Sequence, residues 1–279
     1  MFVNYNGAIL PASQPIFTAD NRAFRYGDGL FESIRVFDGE MPCLERHWQR
    51  LSSGMVFLKM DTPDFFSPIF FQNEIKKLTQ GQGNWRIRLT VWRSGAGLYT
   101  PEANQPAFLI TANPLPSSIF ELNENGLNVG IFHQVHLPLQ PLQSFKTITA
   151  LPFVLASIFT KENNLDDCLL LNAKDRLVCG ASSNIFMVKN GELFTPPLNE
   201  GCVAGTMRAT MLDLANQLGV NAHELPLNTD LIEEMDEIFL TNAIQGVRWV
   251  RQVEGFGKQF SNELATVLVN ALNQRLLPK

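Results

Sequence analysis

The amino-acid sequence predicts a mixed α/β (α+β) fold with two domains, of which the N-terminal one is the smaller. Three observations favour it. A chain of 279 residues is long for a single core, strand-like and helix-like apolar patterns follow one another along it, and the proline- and serine-rich stretch NPLPSS interrupts them. We therefore predict a small domain over residues 1–112, a linker over 113–122 and a larger domain over 123–279.

The strand and helix signals of the first domain come in this order. LFESIRVFDG predicts a strand that runs into an Asp38-Gly39 turn, as in a hairpin. Leucine and methionine at helical spacing predict a helix over residues 44–60. NWRIRLTVWRSG alternates apolar and polar residues and is the clearest strand, and AFLITANPLPSS predicts another that ends at its prolines.

Strands and helices alternate in the second domain. GLNVGIF predicts a strand, residues 146–163 a helix, and the apolar run DDCLLLNA a buried strand. SSNIFMVKNGELFTPP predicts a hairpin, because Asn190-Gly191 favours a type I′ turn. GTMRATMLDLANQLG has the pattern of an amphipathic helix, and EIFLTNA has that of a strand.

Composition and charge exclude several classes of protein. The net charge is −5 and the basic residues are scattered, so the chain lacks the basic surface of a general nucleic-acid-binding protein. No apolar run approaches the roughly 20 residues that span a bilayer, and the N-terminus lacks a signal-peptide pattern. We expect a cytoplasmic protein that binds neither membrane nor nucleic acid. Four distant cysteines without a CxxC pair predict no metal site.

Three segments have features of an anion-binding site. GCVAGTMR places Gly205 and Thr206 directly before a predicted helix, whose first amide groups and dipole favour an anion. Thr241 ends a predicted strand, and Arg50 lies on a predicted helix. Each feature, taken singly, is also typical of an ordinary loop or a solvated helix face.

Lys146 lies in an unusually apolar stretch, SFKTITALPF. A lysine moved out of water loses affinity for its proton, which is what an amine nucleophile that forms a Schiff base needs. The alternative is a lysine that extends from a helix end into solvent.

Six segments of the chain, in order and spacing, resemble a known family. They are RAFRYGDGLFESIRVFDG, HWQRL, FKT, SSNIFMVKNGELFTPP, GTMR and LTNAIQG. The chain resembles the fold-type IV pyridoxal-phosphate (PLP) enzymes of the class IV aminotransferase family, which includes branched-chain and D-amino-acid aminotransferases and 4-amino-4-deoxychorismate lyase. The resemblance implies their two-domain fold and a homodimer.

The resemblance also implies roles for individual residues. Lys146 would bind the cofactor as a Schiff base and move a proton at the substrate α-carbon. Phe31 would form part of the substrate pocket wall. The phosphate of the cofactor would be bound by Arg50, Gly205, Thr206 and Thr241, the three segments with anion-site features.

One position departs from the family pattern. Relatives carry a glutamate before the S-x-x-N-I/L-F segment, and its carboxylate keeps the pyridine nitrogen of the cofactor protonated. RLVCGASSNIF places Cys179 there. Because a neutral thiol supplies no charge, the hypothesis is a less fully protonated ring. Slower turnover, a compensating group, chemistry that needs a weaker electron sink, or neutral drift are the open explanations.

The substrate is less well defined than the cofactor. Arg25 and Arg93 are the preferred candidates for carboxylate recognition, because the planar fork of arginine suits a carboxylate. Arg86 and Arg88 are expected to be surface residues of an edge strand. The stretch WRSGAGLYTP resembles the aminodeoxychorismate lyases, whereas YGDGLFESIRVFDG is common to the D-amino-acid and branched-chain aminotransferases.

The leading prediction is an aminotransferase that moves an amino group between a small amino acid, of the D- or branched-chain type, and a 2-keto acid. The first alternative is a lyase that converts aminodeoxychorismate into 4-aminobenzoate and pyruvate. The second is a non-catalytic protein that has kept the fold, and the missing glutamate is its only support. The sequence does not distinguish D- from L-substrates.

Overall fold

The computed structural model describes residues 1–276, which form two units. The first comprises mainly Met1–Ile119 and Phe145–Thr149, and the second comprises Phe120–Ser144 and Ala150–Arg275. Both units combine helices with a sheet, so the predicted mixed α/β class is confirmed. Residues 277–279, at the end of the predicted larger domain, lie outside the described residues.

The first unit is a five-stranded antiparallel sheet with helices packed against it. Its elements are β1 (Phe2–Tyr5), β2 (Ala8–Pro11), α1 (Arg22–Tyr26), β3 (Gly29–Val36), α2 (Leu44–Phe57), α3 (Pro68–Thr79), β4 (Trp85–Arg93) and β5 (Pro106–Pro114). The strand order is β2-β1-β5-β4-β3. The core lies between the sheet and α2 and α3, because β3 and β4 each turn a series of mainly apolar, buried side chains, such as Ile34 and Leu89, to that face.

Two predictions for this unit need adjustment. The helix predicted over residues 44–60 ends at Phe57, because the chain turns into a left-handed conformation at Lys59 (φ 56°). Asp38 and Gly39 form the predicted turn with positive φ angles, but the turn closes only a single Phe37–Glu40 bridge. Strand β3 pairs along its whole length with β4 instead.

The second unit is built on a mixed nine-stranded sheet. Its elements are β6 (Leu127–Leu137), α4 (Leu151–Glu162), β7 (Asp167–Asn172), β8 (Arg176–Gly180), β9 (Asn184–Lys189), β10 (Glu192–Thr195), α5 (Thr206–Gln217), β11 (Ala222–Glu224), β12 (Leu227–Asn228), β13 (Glu237–Asn242), β14 (Gly246–Val253) and α6 (Glu263–Leu276). The order is β11-β10-β9-β13-β14-β6-β7-β8-β12, and β8 also pairs with β9. This extra pairing closes six strands into a ring.

The predicted hairpin and helix of the second unit have the expected geometry. Asn190 and Gly191 both have positive φ angles (52° and 76°), as a type I′ turn requires, and join β9 to β10. Helix α5 begins at Thr206, directly after Gly205. Across residues 1–276 there is no helix with the length and apolar character needed to cross a membrane.

The segment around Lys146 differs from its prediction. Helix α4 begins only at Leu151, and Lys146 lies before it in an extended segment. The amide of Phe31 donates to the Lys146 carbonyl at 2.8 Å, and the amide of Ile148 donates to the Gly29 carbonyl at 3.0 Å. These bonds to β3 place Lys146 in the first unit, whereas the predicted boundaries placed it in the larger C-terminal domain.

Candidate active site

Lys146 is the centre of a group of residues in the first unit. Its amine lies 4.6 Å from the centre of the Phe31 ring, and its side chain is half-buried. Burial, and then the charge of Arg50, lowers the pKa of Lys146, which is about 8 even though Glu32 acts in the opposite direction. An amine with this pKa is partly unprotonated near neutral pH and can act as a nucleophile.

Phe31 contacts a second cation as well as Lys146. It lies on β3 opposite Thr90 of β4, and the guanidinium carbon of Arg88 is 3.7 Å from the centre of its ring. Burial, and then the charge of Arg86, lowers the pKa of Arg88. A ring face attracts cations, so Phe31 contacts both the arginine and the lysine.

A buried ion pair connects β3 with α2. Glu32, which is 1% exposed, accepts from Arg50 through both oxygens: Nε to Oε1 at 2.8 Å and Nη2 to Oε2 at 2.5 Å. Nδ1 of His47 is 2.6 Å from the same Oε2. We refer to Lys146, Phe31, Arg88, Glu32, Arg50 and His47 as the lysine cluster.

A second group of residues surrounds the start of α5 in the second unit. Asn184 of β9 is the register partner of both Thr241 of β13 and Cys179 of β8. Residues directly opposite one another share a face of the sheet, so these three side chains form a row across three strands. Together with Gly205 and Thr206 they make up the helix-tip cluster.

Asn184 connects this row to the loop before α5. Its Nδ2 donates to the carbonyl of Val203 at 2.9 Å. A Cβ atom on Gly205 would lie 1.9 Å from Asn184 Oδ1, so glycine is required for the close approach of loop and strand. The sequence pattern SSNIF helped to identify the family, but it gave no separate sign of this contact.

The helix-tip cluster has unsatisfied donors of the kind that a phosphate needs. Gly205 is the N-cap of α5, and no side chain of the described residues caps this helix. Thr241 is 1% exposed, and its hydroxyl has no hydrogen-bond partner within residues 1–276. The phosphate group of a cofactor fits these features: a buried hydroxyl, and a helix start without a side-chain cap at which Gly205 has no Cβ.

The two arginines predicted to bind a substrate carboxylate have other contacts. Arg93 is only 7% exposed, and its guanidinium donates to Asp28, to Asn104 and to two carbonyls directly after α2. Arg25 is exposed and pairs with Asp20 at 3.6 Å. The Arg93 guanidinium is therefore engaged within the first unit, whereas Arg88 contacts the same Phe31 ring as Lys146.

Cys179 is buried, at 4% exposure, in an apolar cluster that includes Leu170. The neighbouring half-buried carboxylate, Asp167, lies on the other face of the sheet, because Leu169, two residues further along β7, pairs with Gly180. Asp167 accepts from the amides of Cys168 and Ala181. It therefore does not replace the missing glutamate on the Cys179 face.

Comparison with known proteins identifies the family. Residues 29–253 match the model of the family described as amino-transferase class IV, so the chain belongs to that family. The family uses pyridoxal 5'-phosphate, and its aminotransferase members agree with the PLP-dependent transferase that the sequence predicted.

Individual relatives match over nearly the whole chain. The putative branched-chain-amino-acid aminotransferase of Methanocaldococcus jannaschii is 29% identical over 91% of this chain and 88% of that protein. The 4-amino-4-deoxychorismate lyase of Pseudomonas aeruginosa has a similar structure (TM-score 0.80, 29% identity, 95% of this chain and 96% of that one). The branched-chain aminotransferase of Thermoproteus uzoniensis shares the fold (TM-score 0.86, 21% identity, 99% and 95%).

Proposed function

We propose that the chain transfers an amino group between a small amino acid and a 2-keto acid, with Lys146 as its catalytic residue. The observation that carries this proposal is the half-buried amine of Lys146, whose pKa is lowered to about 8, in a chain of the amino-transferase class IV family. An acid–base group works best when its pKa lies near the working pH.

When bound, PLP supplies an electron-withdrawing ring that stabilises negative charge at the substrate α-carbon. Lys146 would hold the cofactor, and its Nζ would move a proton between the α-carbon of the substrate and C4′ of the cofactor. Gly205, Thr206, Thr241 and Arg50 are the residues that would hold the phosphate. Phe31 restricts the position of the Lys146 amine and excludes water from one side of it.

Arg88 is the residue that we propose for binding the second carboxylate of a dicarboxylic substrate. It lies against the same ring as Lys146, and no carboxylate partner of Arg88 is found in the described part of the chain. We expect Arg88→Ala to raise KM for a dicarboxylic acceptor such as 2-oxoglutarate more than KM for a monocarboxylic one. The control is Arg25→Ala, because Arg25 is exposed and pairs with Asp20. Equal changes for both acceptors would contradict this role.

A lyase is the second candidate function. The 29% identity to the aminodeoxychorismate lyase of known structure is as high as that to the putative branched-chain aminotransferase, and it favours keeping this alternative. The lyase would release pyruvate from aminodeoxychorismate without any keto acid. The aminotransferase would need a keto acid and would form a new amino acid from it.

One experiment separates these functions. The purified protein is loaded with PLP, and its absorbance spectrum is recorded before and after a panel of D- and L-amino acids. A spectral change with one enantiomer, followed by recovery on adding a 2-keto acid, is expected for the aminotransferase. Release of pyruvate from aminodeoxychorismate alone would favour the lyase. A protein that shows no spectral change with any donor and releases no pyruvate from aminodeoxychorismate would contradict both and favour a non-catalytic protein.

Cys179 is proposed to leave the ring nitrogen of the bound cofactor less protonated than a carboxylate would. The row that contains it offers only the amide of Asn184 and the hydroxyl of Thr241. We expect Cys179→Glu to change both turnover and the pH dependence of the cofactor absorbance, with Cys179→Ser as the uncharged control. The same spectrum and turnover in both variants would contradict the hypothesis.

We also propose that the protein is a homodimer. Helix α4 exposes four apolar side chains at helical spacing: Leu151, Val154, Leu155 and Ile158. A second copy that covers this stripe would remove it from water. We expect Leu155→Asp to lower the mass measured by light scattering, whereas Leu225→Asp, at another exposed leucine, leaves it unchanged. Location in the cytoplasm stays a prediction from the sequence.

A further inference from the structure

Glu32 is a buried charged residue to which neither the family resemblance nor the proposed chemistry gives a role. It lies on the face of β3 that also carries Leu30 and Ile34, in a series of otherwise apolar side chains. A carboxylate in such a position is costly unless it is paired and hydrogen-bonded. Its partners therefore indicate what it does.

Both partners of Glu32 come from one face of α2. His47 and Arg50 are three residues apart, so they are neighbours on the helix surface. Arg50 Nε and Nη2 donate to separate oxygens of Glu32, which is the two-bond geometry that fixes the plane of a guanidinium. The Arg50 side chain is 9% exposed.

The charges of the three residues balance. Burial raises the pKa of Glu32, but Arg50 and then His47 outweigh it and bring the pKa down to about 2, so the carboxylate is ionised. Burial lowers the pKa of His47, so its ring is neutral and Nδ1 donates to Glu32. The three residues then carry one negative charge, on Glu32, and one positive charge, on Arg50.

A buried ion pair of this kind adds little to stability compared with apolar residues of the same size, so stability alone does not account for it. A role in holding the Arg50 side chain in one orientation does account for the ion pair. Glu32 uses two of the five N–H groups of Arg50 and thereby sets the direction of the others. An arginine that is already held in one orientation favours phosphate binding, because a mobile arginine side chain would lose rotamer freedom when the phosphate binds.

We infer that Glu32 is a positioning residue that fixes the guanidinium of Arg50 for the phosphate of PLP. This inference rests on the proposed function, which assigns the phosphate to Arg50. Glu32 acts through Arg50 and makes no contact with the substrate or the reacting atoms. The prediction that distinguishes it from a purely structural residue concerns the phosphate: Glu32 should matter for PLP and not for pyridoxal, which lacks the phosphate.

The test compares the dissociation constants of PLP and pyridoxal for the wild type and Glu32→Gln. Titrations are followed by absorbance at pH 9, above the pKa of Lys146, so that the amine is mostly unprotonated in the wild type and in Glu32→Gln, which loses a charge that raises this pKa. We expect the variant to bind PLP about tenfold more weakly, the effect of one lost charge-assisted hydrogen bond. Pyridoxal binding should change less than about twofold.

Two further variants keep the test decisive. Glu32→Asp retains the charge but is one methylene shorter, so it cannot make both bonds to Arg50, and it should also weaken PLP selectively even if Glu32→Gln folds poorly. Glu74→Gln removes another buried carboxylate of the first unit, paired with Lys77 and Asn4, and should leave both affinities unchanged.

In an Arg50→Ala background, Glu32→Gln should cause no further loss of PLP affinity, because the guanidinium through which Glu32 affects phosphate binding is absent. Equal weakening of PLP and pyridoxal by both Glu32 variants, or a full additional loss in the Arg50→Ala background, would overturn the inference. A wild-type protein that binds neither compound would instead refute the proposed function.

Discussion

The lysine cluster and the helix-tip cluster are both suited to an anion, but they are built from different chemistry. The lysine cluster contains four charged side chains, the cations Lys146, Arg50 and Arg88 and the carboxylate Glu32. The helix-tip cluster has hydroxyl, amide and thiol side chains and the amides that open α5. The first attracts anions by full charge and the second by backbone dipoles.

This difference has two consequences. Full charges must be desolvated when they are buried, so the lysine cluster needs internal compensation, which the Glu32–Arg50 pair supplies. Its side chains also titrate, so the pH dependence of the protein is expected to originate there. The helix-tip cluster depends on the close approach of main-chain atoms, so it should tolerate pH changes but not an added methyl group.

The largest effect is expected from Lys146→Ala, which removes the reactive amine of the lysine cluster. Turnover should fall by about 10³-fold or more, since general acid–base catalysis alone contributes roughly 10² to 10⁴. Borohydride reduction followed by mass spectrometry should find the cofactor attached to the wild type and not to the variant. Lys161→Ala, on α4, is the control. Attachment at another lysine of the variant would contradict the assignment.

Gly205→Ala tests the close approach in the helix-tip cluster. The new Cβ would lie 1.9 Å from Asn184 Oδ1, so the loop or the strand must move. Overpacking costs typically 1–3 kcal/mol, which corresponds to PLP binding weakened by up to about a hundredfold. Gly257→Ala is the matched control, because a Cβ there has no atom of the described chain within 4 Å. Unchanged affinity in Gly205→Ala would show that the helix tip does not bind the phosphate.

Thr241→Val tests the unsatisfied hydroxyl of the same cluster. Its hydroxyl has no partner in the described chain, so valine should fit without loss of folding stability. A hydrogen bond to a charged group contributes about 1.5–3 kcal/mol, so PLP should bind about tenfold more weakly or worse. Thr241→Ser keeps the hydroxyl and should restore most of the affinity. A valine variant with wild-type affinity would exclude this hydroxyl from phosphate binding.

The helix-tip cluster could be predicted from the sequence more completely than the lysine cluster. GTMR before an amphipathic pattern locates a helix start, and EIFLTNA locates the strand end that carries Thr241, because both signals are local. The family resemblance then assigned them a common ligand. Asn184 was missed, because its contact with Gly205 depends on the packing of β9 against the loop before α5.

The lysine cluster depends on contacts between distant parts of the chain, which local patterns do not show. The apolar stretch after Lys146 resembles a helix, yet hydrogen bonds to β3 hold the lysine in an extended segment. Arg88 and Arg93 lie on one strand, and only the position of the chain directly after α2 shows that Arg93 donates to two main-chain carbonyls there. The sequence does contain a sign of Glu32, because it is a charged residue in an otherwise apolar alternation, but this sign was not used in the prediction. Helices α3 and α6 were missed too.

The smallest effect, and the one that separates the clusters most cleanly, is the pH dependence of cofactor capture. Because the pKa of Lys146 is lowered to about 8, its reactive unprotonated fraction rises about fivefold between pH 7 and pH 8 and levels off above pH 9. The rate at which the protein captures added PLP, followed by absorbance, should have this profile.

Two variants test the origin of this profile. Arg88→Ala removes a nearby positive charge that lowers the pKa of Lys146, so the midpoint of the pH profile should move to higher pH. Thr241→Val should slow or weaken capture without moving the midpoint, because the helix-tip cluster contributes no charge to the amine. A midpoint that moves equally in both variants would mean that the two clusters do not differ in the way that their chemistry predicts.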